Sequence, residues 1–225
     1  MEQEFFKRIE LEANIQSYEQ DRSHLMKEIQ HRVRNNLQII SSLAHFHSKY
    51  AQKYNIQVVW DRFQELMQSM AFVHGYMYIN KNLAKINFSE YIDKLNIRIK
   101  QMYPFSGNLI MKQKIINPIL SVNQAITCGI VLYELISNVY KHAFPENYRG
   151  KPTLELTLHD LDTDECEIIV RDNGIGMPIQ FDFDNIATIG LGLVKILIEK
   201  QLHGHIDLIK GNGTMYIIRI KKIIV

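Results

Sequence analysis

Two cysteines, five prolines and a single tryptophan are spread over 225 residues. Cys128 and Cys166 stand alone in apolar or strand-like surroundings, without the paired spacing of a disulfide framework or a zinc site, and read as reduced packing residues. No apolar run approaches the roughly 20 residues that a membrane helix needs. The N-terminal MEQEFFKRIELEANIQ is charged, unlike a signal peptide, so a cytoplasmic chain is expected. Charge of one sign is lacking as well: 26 Lys and Arg oppose 24 Asp and Glu, with the basic residues dispersed. That balance gives no nucleic-acid signature. There is no internal repeat and no low-complexity stretch. What is present, 46% hydrophobic residues, is ample for the cores of one or two domains.

From about Glu2 to Tyr50 neither proline nor glycine interrupts the chain, and Phe6, Ile9, Ala13, Ile15 and Leu25 recur at loosely helical spacing. This predicts one long helix, or a linker helix running into the stretch KEIQHRVRNNLQIISSL at 27–43. There, Met26, Ile29, Val33, Leu37, Ile40 and Ala44 form an apolar stripe, and Lys27, His31, Arg34, Asn35 and Gln38 a polar one. His31 therefore points away from the core. On most helices such a residue is a solvated surface histidine. Its neighbours distinguish this one: Asn35, at i+4, brings an amide beside the ring. Arg32 and Arg34 favour the neutral, nucleophilic imidazole and attract anions. Accepting a phosphoryl group requires that combination.

A second helix is predicted from about Ile56 to Ile79, with Val59, Phe63, Leu66, Met70, Val73 and Met77 on its apolar face. Two such helices cannot bury their stripes alone. Pairing with a second copy in a four-helix bundle would do so and predicts a homodimer; a monomeric hairpin packed on the chain's own C-terminal domain is the other solution. Asn80-Lys-Asn breaks the second helix, and Ser89 is placed to cap a third running to about Met102, before the Tyr103-Pro104 break. A turn and a short strand, Leu109 to Ile116, follow. From Val122 the order is a helix to about His142, strands near 153–159 and 166–171, a loop, a helix at 190–202, and strands near 205–210 and 214–224. This is the pattern of an α+β sandwich with helices on one face of a mixed sheet. The expected division is 1–82, a helical hairpin, and 83–225, the sandwich.

The second region carries three separated signals. In ELISNVYKHAF, Glu134, Asn138 and Lys141 or His142 fall at helical steps on one side. An amide oxygen there can hold a magnesium ion that keeps most of its waters and bridges nucleotide phosphates, although most such patterns are a polar helix face. The second, DNGIGMP, follows the apolar EIIV and sets Asp172 at a strand end. A carboxylate there can accept a hydrogen bond from an adenine amino group, while Gly174 and Gly176 let the backbone turn closely around the base. In the third, IGLGLV, Gly190 and Gly192 open a helix whose free N–H groups suit phosphates. Each is weak alone; their fixed order is not. A G-x-x-x-x-G-K-S/T loop is absent, which argues against the P-loop solution.

With these residues in place, the chain closely resembles the sensor histidine kinases, and in particular the second phosphoacceptor-domain family, whose H box reads much like HRVKNNLQIISSL. QHRVRNNLQIISSL matches it nearly residue for residue. ELISNVYKHAF is similar to the N box, DNGIGMP to the first glycine box and GLGLV to the second, of the GHKL ATPase superfamily that includes gyrase, Hsp90 and MutL. The resemblance implies a dimeric helical hairpin followed by an α/β-sandwich Bergerat fold. It also implies autophosphorylation of His31 from ATP and Mg2+, then transfer to an aspartate on a response-regulator receiver domain. Asn138 would hold the magnesium, with Lys141 and His142 beside it at the nucleotide. Asp172 would read adenine, and Thr214 would support that aspartate. Met177 to Ile189 would be the ATP lid, with Phe181 and Phe183 inside it.

One departure from orthodox kinases matters. They usually place a carboxylate directly after the phosphorylated histidine, where this chain has Arg32. The proton acceptor must then be Glu28, about a turn earlier, or Glu134, slightly favoured because N-box glutamates act as bases in related ATPases. Arg32 would neutralise phosphate charge in the transition state. About twenty-five residues precede the H box, too few for an input domain. The expectation is either the core of a larger kinase or a stand-alone kinase signalled through a partner. The competing function is a non-catalytic histidine phosphotransfer adaptor with a vestigial ATP domain. A third, a GHKL ATPase or serine kinase, leaves the H-box match unexplained.

Overall fold

The computed structural model describes residues 88–103, 108–116, 120–161, 164–178, 180–182 and 188–222, with scattered positions between 18 and 75. The chain divides into two compact units, Met1–Ser42 and Leu43–Val225. In the first, every described position, Tyr18, Met26 and Ile40 among them, is helical. In the second, the described positions between 57 and 75 are helical, on the stretch where apolar spacing predicts the second helix. The Gln57 amide donates to the Asp61 carboxylate one turn on at 2.9 Å, and Trp60 stacks on Phe63 with ring centroids 5.8 Å apart.

The remainder of this unit is an α+β assembly. Helix α1 (Phe88–Met102) leads to β1 (Ile110–Ile115), α2 (Val122–Asn138), β2 (Thr153–Asp160), β3 (Glu165–Asp172), α3 (Ile189–Ile196), β4 (His205–Gly211) and β5 (Gly213–Lys221). The strands form one five-stranded sheet in the order β1-β2-β3-β5-β4. Only β1 and β2 run parallel, and the other three pairings are antiparallel, so the sheet is mixed, as the alternation of elements predicts.

Period-two patterning gives the sheet two unlike faces. Leu154, Leu156 and Leu158 of β2, Cys166, Ile168 and Val170 of β3, and Tyr216, Ile218 and Ile220 of β5 are buried. Burying each such aliphatic side chain contributes about 1.5–3 kcal/mol before the cost of ordering it. The opposite face carries cross-strand ion pairs, Lys112–Glu155 at 3.0 Å and Arg219–Glu167 at 2.8 Å. Helix α2 lies at the centre of the helical layer, touching α1 and α3, and residues 124–137 are all buried. A helix apolar around most of its circumference belongs inside a core, and ITCGIVLYELI is such a sequence. Its start is fixed by a capping box: the Ser121 hydroxyl accepts from the Gln124 backbone N–H, and the Gln124 side chain accepts from the Ser121 N–H, each at 3.3 Å.

Cys128 and Cys166 are free and fully buried, and burial holds both thiols in the protonated form, pushing Cys166 up to about 12. They are packing residues, as their surroundings in the sequence predict.

Two expectations are corrected. Ser89 does not cap α1, which begins one residue earlier at Phe88. The helix expected to run to His142 is α-helical only to Asn138 and continues as a wide π turn, Val139–Ala143; α3 continues in the same way through Leu197–Gln201. A hydrophobic period near 3.6 cannot distinguish such a widened last turn, because the same residues stay buried.

Candidate functional site

A cleft of about 590 Å³ opens between the end of α2, the β3–α3 loop and β5. Its walls are mainly apolar: Leu135, Val139 and Ala143 from α2 and its π turn, Ile175, Met177, Pro178 and Phe181 from the loop, Leu191 from α3, and Tyr216 from β5. A small set of polar groups converges on it, namely Asn138, His142, Asp172, Thr188 and Thr214. A large apolar cleft with a few fixed polar groups is the usual form of a small-molecule site.

Asp172 ends β3 on the buried face of the sheet and is 5% exposed. The Gly174 backbone N–H donates to its Oδ1 at 2.8 Å, and Thr214 donates to the carboxylate through both its N–H and its hydroxyl. Burial raises the Asp172 pKa, and these three hydrogen bonds pull it back. Thr214 and Tyr216, two residues apart on β5, face the same way as Asp172, and burial beside that carboxylate drives the Tyr216 phenol up.

The glycines around Asp172 serve close backbone approaches. A Cβ on Gly174 would lie 2.3 Å from the Ala143 carbonyl oxygen, which itself accepts from the Ile175 N–H at 2.9 Å. DNGIGMP is thereby seated on the end of the N-box helix. Gly213 has φ +96°, and a Cβ there would lie 2.0 Å from the Asp172 carbonyl oxygen. Thr214 reaches the carboxylate because its neighbour can occupy that space.

Of the residues predicted from sequence, Asn138, His142, Asp172, Gly176, Gly190 and Thr214 share this cleft. Gly174 and Gly192 are buried beside it without lining it, and the Gly192 N–H donates at 3.1 Å to the carbonyl of Thr188, the residue that caps the start of α3. Two residues are placed differently from the single polar face that helical spacing predicts. Glu134 is 0% exposed and not in the cleft wall, because α2 is enclosed on all sides until its last turn emerges. Lys141, on the π turn, is turned to the Glu65 carboxylate at 2.9 Å and lies 4.2 Å from the centroid of the Tyr103 ring. His31, Arg32, Asn35, Glu28 and Phe183 lie outside the described residues. Phe181 lines the cleft, and its carbonyl accepts a hydrogen bond from Lys210.

Tyr216 and Ile175 in the cleft wall, and Glu65 on Lys141, were not expected from the sequence. Tyr216 was findable, since alternation along β5 puts it on the same face as Thr214. Glu65 was not, because nothing in the sequence pairs it with a residue 76 positions away.

A nucleotide fits this donor set. The buried carboxylate can accept from an amino group on a flat apolar base, and the half-buried Asn138 amide at the cleft wall offers one neutral oxygen. No cluster of three or more His, Cys, Asp or Glu able to hold a metal occurs among the described residues. A single amide oxygen of the Asn138 kind can contribute to holding a hydrated magnesium ion beside a nucleotide. No helix among the described residues is long and apolar enough to cross a membrane.

Comparison with known proteins agrees with this geometry. The family model described as histidine kinase matches residues 28–103, and that described as histidine kinase-, DNA gyrase B- and HSP90-like ATPase matches residues 123–223. The sensor histidine kinase PdtaS of Mycobacterium tuberculosis is 23% identical over 198 residues, covering 87% of this chain and 39% of its own length. Blue-light-activated histidine kinase 2 of Erythrobacter litoralis is 24% identical over 200 residues, covering 87% of this chain and 56% of its own. This chain thus spans about two fifths to just over half the length of these relatives. A solved structure of the Erythrobacter litoralis blue-light activated histidine kinase shares the fold with a TM-score of 0.66, at 18% identity over 83% of this chain and 58% of that one. With the two family matches in succession across more than three quarters of its length, the chain belongs to the histidine kinases and carries their ATP-binding domain.

Proposed function

We propose that the chain is the core of a two-component signalling kinase that transfers the γ-phosphoryl group of ATP to His31 and from there to an aspartate of a response-regulator receiver domain. The observation that carries this is the buried Asp172 carboxylate, held by Gly174 and Thr214 at the wall of an apolar cleft in a chain that also contains QHRVRNNLQIISSL. Asp172 fixes the adenine and Asn138 offers its amide oxygen to magnesium, which neutralises phosphate charge when bound. His142 faces the phosphates from the cleft wall, and Gly190 brings the N-terminal end of α3 toward them.

His31 is the nucleophile: its neutral ring attacks the γ-phosphorus, the bond to the β-phosphate oxygen breaks, and ADP leaves. Asn35 orients the phosphoryl oxygens and Arg32 offsets their charge. The ring proton goes to Glu134 or Glu28. Since Glu134 is enclosed in this arrangement, acting as the base requires the end of α2 to open. Residues 1–82 form the linker and phosphoacceptor hairpin, two copies of which make a four-helix bundle, and 83–225 form the ATP-binding domain. A sensor, upstream or separate, supplies the signal.

The alternative, a phosphotransfer adaptor with a decayed nucleotide fold, is disfavoured by the intact set Asn138, Asp172, Gly174, Gly176, Gly190 and Gly192. Incubation with γ-labelled ATP and magnesium distinguishes the readings. A kinase acquires label that is lost in acid and kept in alkali, the adaptor acquires none, and a serine kinase acquires label that survives acid.

A further inference from the structure

The ion pair between Glu65 and Lys141 joins the helical stretch at 57–75 to the N-box turn. Both partners are largely shielded, at 16% exposure for the lysine side chain and 27% for the glutamate, and the lysine ammonium also rests on the Tyr103 ring. Burial beside the Tyr133 phenol and the Glu65 carboxylate keeps the Tyr103 phenol protonated. Lys141 immediately precedes His142 and follows Asn138 by three residues, and both of those line the cleft. The one lysine of ELISNVYKHAF is therefore engaged by a carboxylate from outside the sandwich.

We propose that Glu65 is a latch on Lys141 that the polyphosphate of a bound nucleotide competes away. This rests on the cleft being a nucleotide site and adds a means of regulating it. With Glu65 in place, Lys141 is withheld from the phosphates and the 57–75 helix is held against the sandwich. When phosphates draw Lys141 to themselves, that tie is broken and the helix is released. Because coupling is reciprocal, whatever pulls the helix away must also tighten nucleotide binding. The release is specific to phosphate-bearing ligands, since the base is held by Asp172 at another wall of the cleft. Trp60, the only tryptophan of the chain, lies on the same helical stretch as Glu65 and stacks on Phe63, so its fluorescence reports on the helix directly.

The test is calorimetric titration of the full chain with Mg-ATP and with adenosine, with Trp60 fluorescence followed in parallel. Glu65→Gln keeps the shape and removes the charge, and it should tighten ATP binding by about threefold to tenfold, with adenosine unchanged. ATP, but not adenosine, should change Trp60 fluorescence in the wild-type chain. In a Lys141→Ala background, Glu65→Gln should have no effect on ATP. Unchanged or weakened ATP binding by Glu65→Gln, or an equal change for ATP and adenosine, overturns the latch and leaves the nucleotide site standing. Absence of any ATP binding by the wild-type chain overturns both.

Discussion

The backbone N–H of Gly174 donates to the carboxylate of Asp172 at 2.8 Å and, with Thr214, leaves that carboxylate fixed at the cleft wall before any base arrives. A pre-set acceptor discriminates by what it leaves unpaired. Asp172→Asn can keep the Gly174 bond but presents an N–H₂ group where the adenine amino group needs an acceptor. ATP affinity should fall by roughly one to two orders of magnitude, equivalent to about 1–3 kcal/mol. GTP should bind the wild-type protein weakly, because guanine offers an oxygen at that place. Calorimetry with both nucleotides on both proteins checks this; equal ATP affinities would reduce Asp172 to a turn residue.

The same carboxylate carries a pH signature. Burial raises its pKa in the folded state above the ordinary 3.8, so the folded protein binds that proton more tightly than the unfolded chain. The resulting stabilisation is full below the unfolded value and is lost as pH rises through the folded one. Asp172→Asn cannot titrate. Its melting temperature relative to wild type should therefore rise as pH is increased from about 4 to 7. A difference independent of pH, or falling with it, would contradict the burial of a charged Asp172.

Gly213→Ala places a methyl group at positive φ and against the Asp172 carbonyl. It should lower stability by about 1–3 kcal/mol and weaken ATP binding, since Thr214 moves with it. Gly211→Ala, which meets nothing within 4 Å, is the control and should stay within about 0.5 kcal/mol of wild type. Thermal denaturation of the two variants side by side separates backbone strain from a general loss of glycine flexibility.

Glu134→Gln and Glu28→Gln decide which carboxylate takes the ring proton. If α2 opens to expose Glu134, its replacement should slow phosphorylation by roughly 10²–10⁴-fold with ATP affinity little changed, and Glu28→Gln should be mild. The reverse pattern assigns the role to Glu28. Single-turnover labelling with measured nucleotide occupancy keeps chemistry apart from binding.

The strands and helices of the sandwich were legible because their burial follows the sequence period closely: Leu154, Leu156 and Leu158 alternate, and ITCGIVLYELI is apolar around most of its circumference. Asp172, Gly176 and Gly190 were placed together by motif order, Thr214 by the family resemblance alone, and all four line the cleft. Helical spacing groups Glu134 and Lys141 with Asn138 and His142 by angle alone, and only the latter two line the cleft. Depth along α2 and the widened turn at Val139–Ala143 decide which of them emerge, and neither leaves a mark on the period. The Lys141–Glu65 pair is a long-range contact with no sequence signature.

The most direct measurement is phosphoamino-acid mapping of the chain after incubation with γ-labelled Mg-ATP, run on wild type and on His31→Ala with nucleotide affinity measured in the same samples. Wild type should carry acid-labile, alkali-stable label on the peptide containing His31, and His31→Ala should bind ATP normally while taking up none. Full-stoichiometry label on His31→Ala, or wild-type label on any other peptide, would contradict phosphoryl transfer to His31.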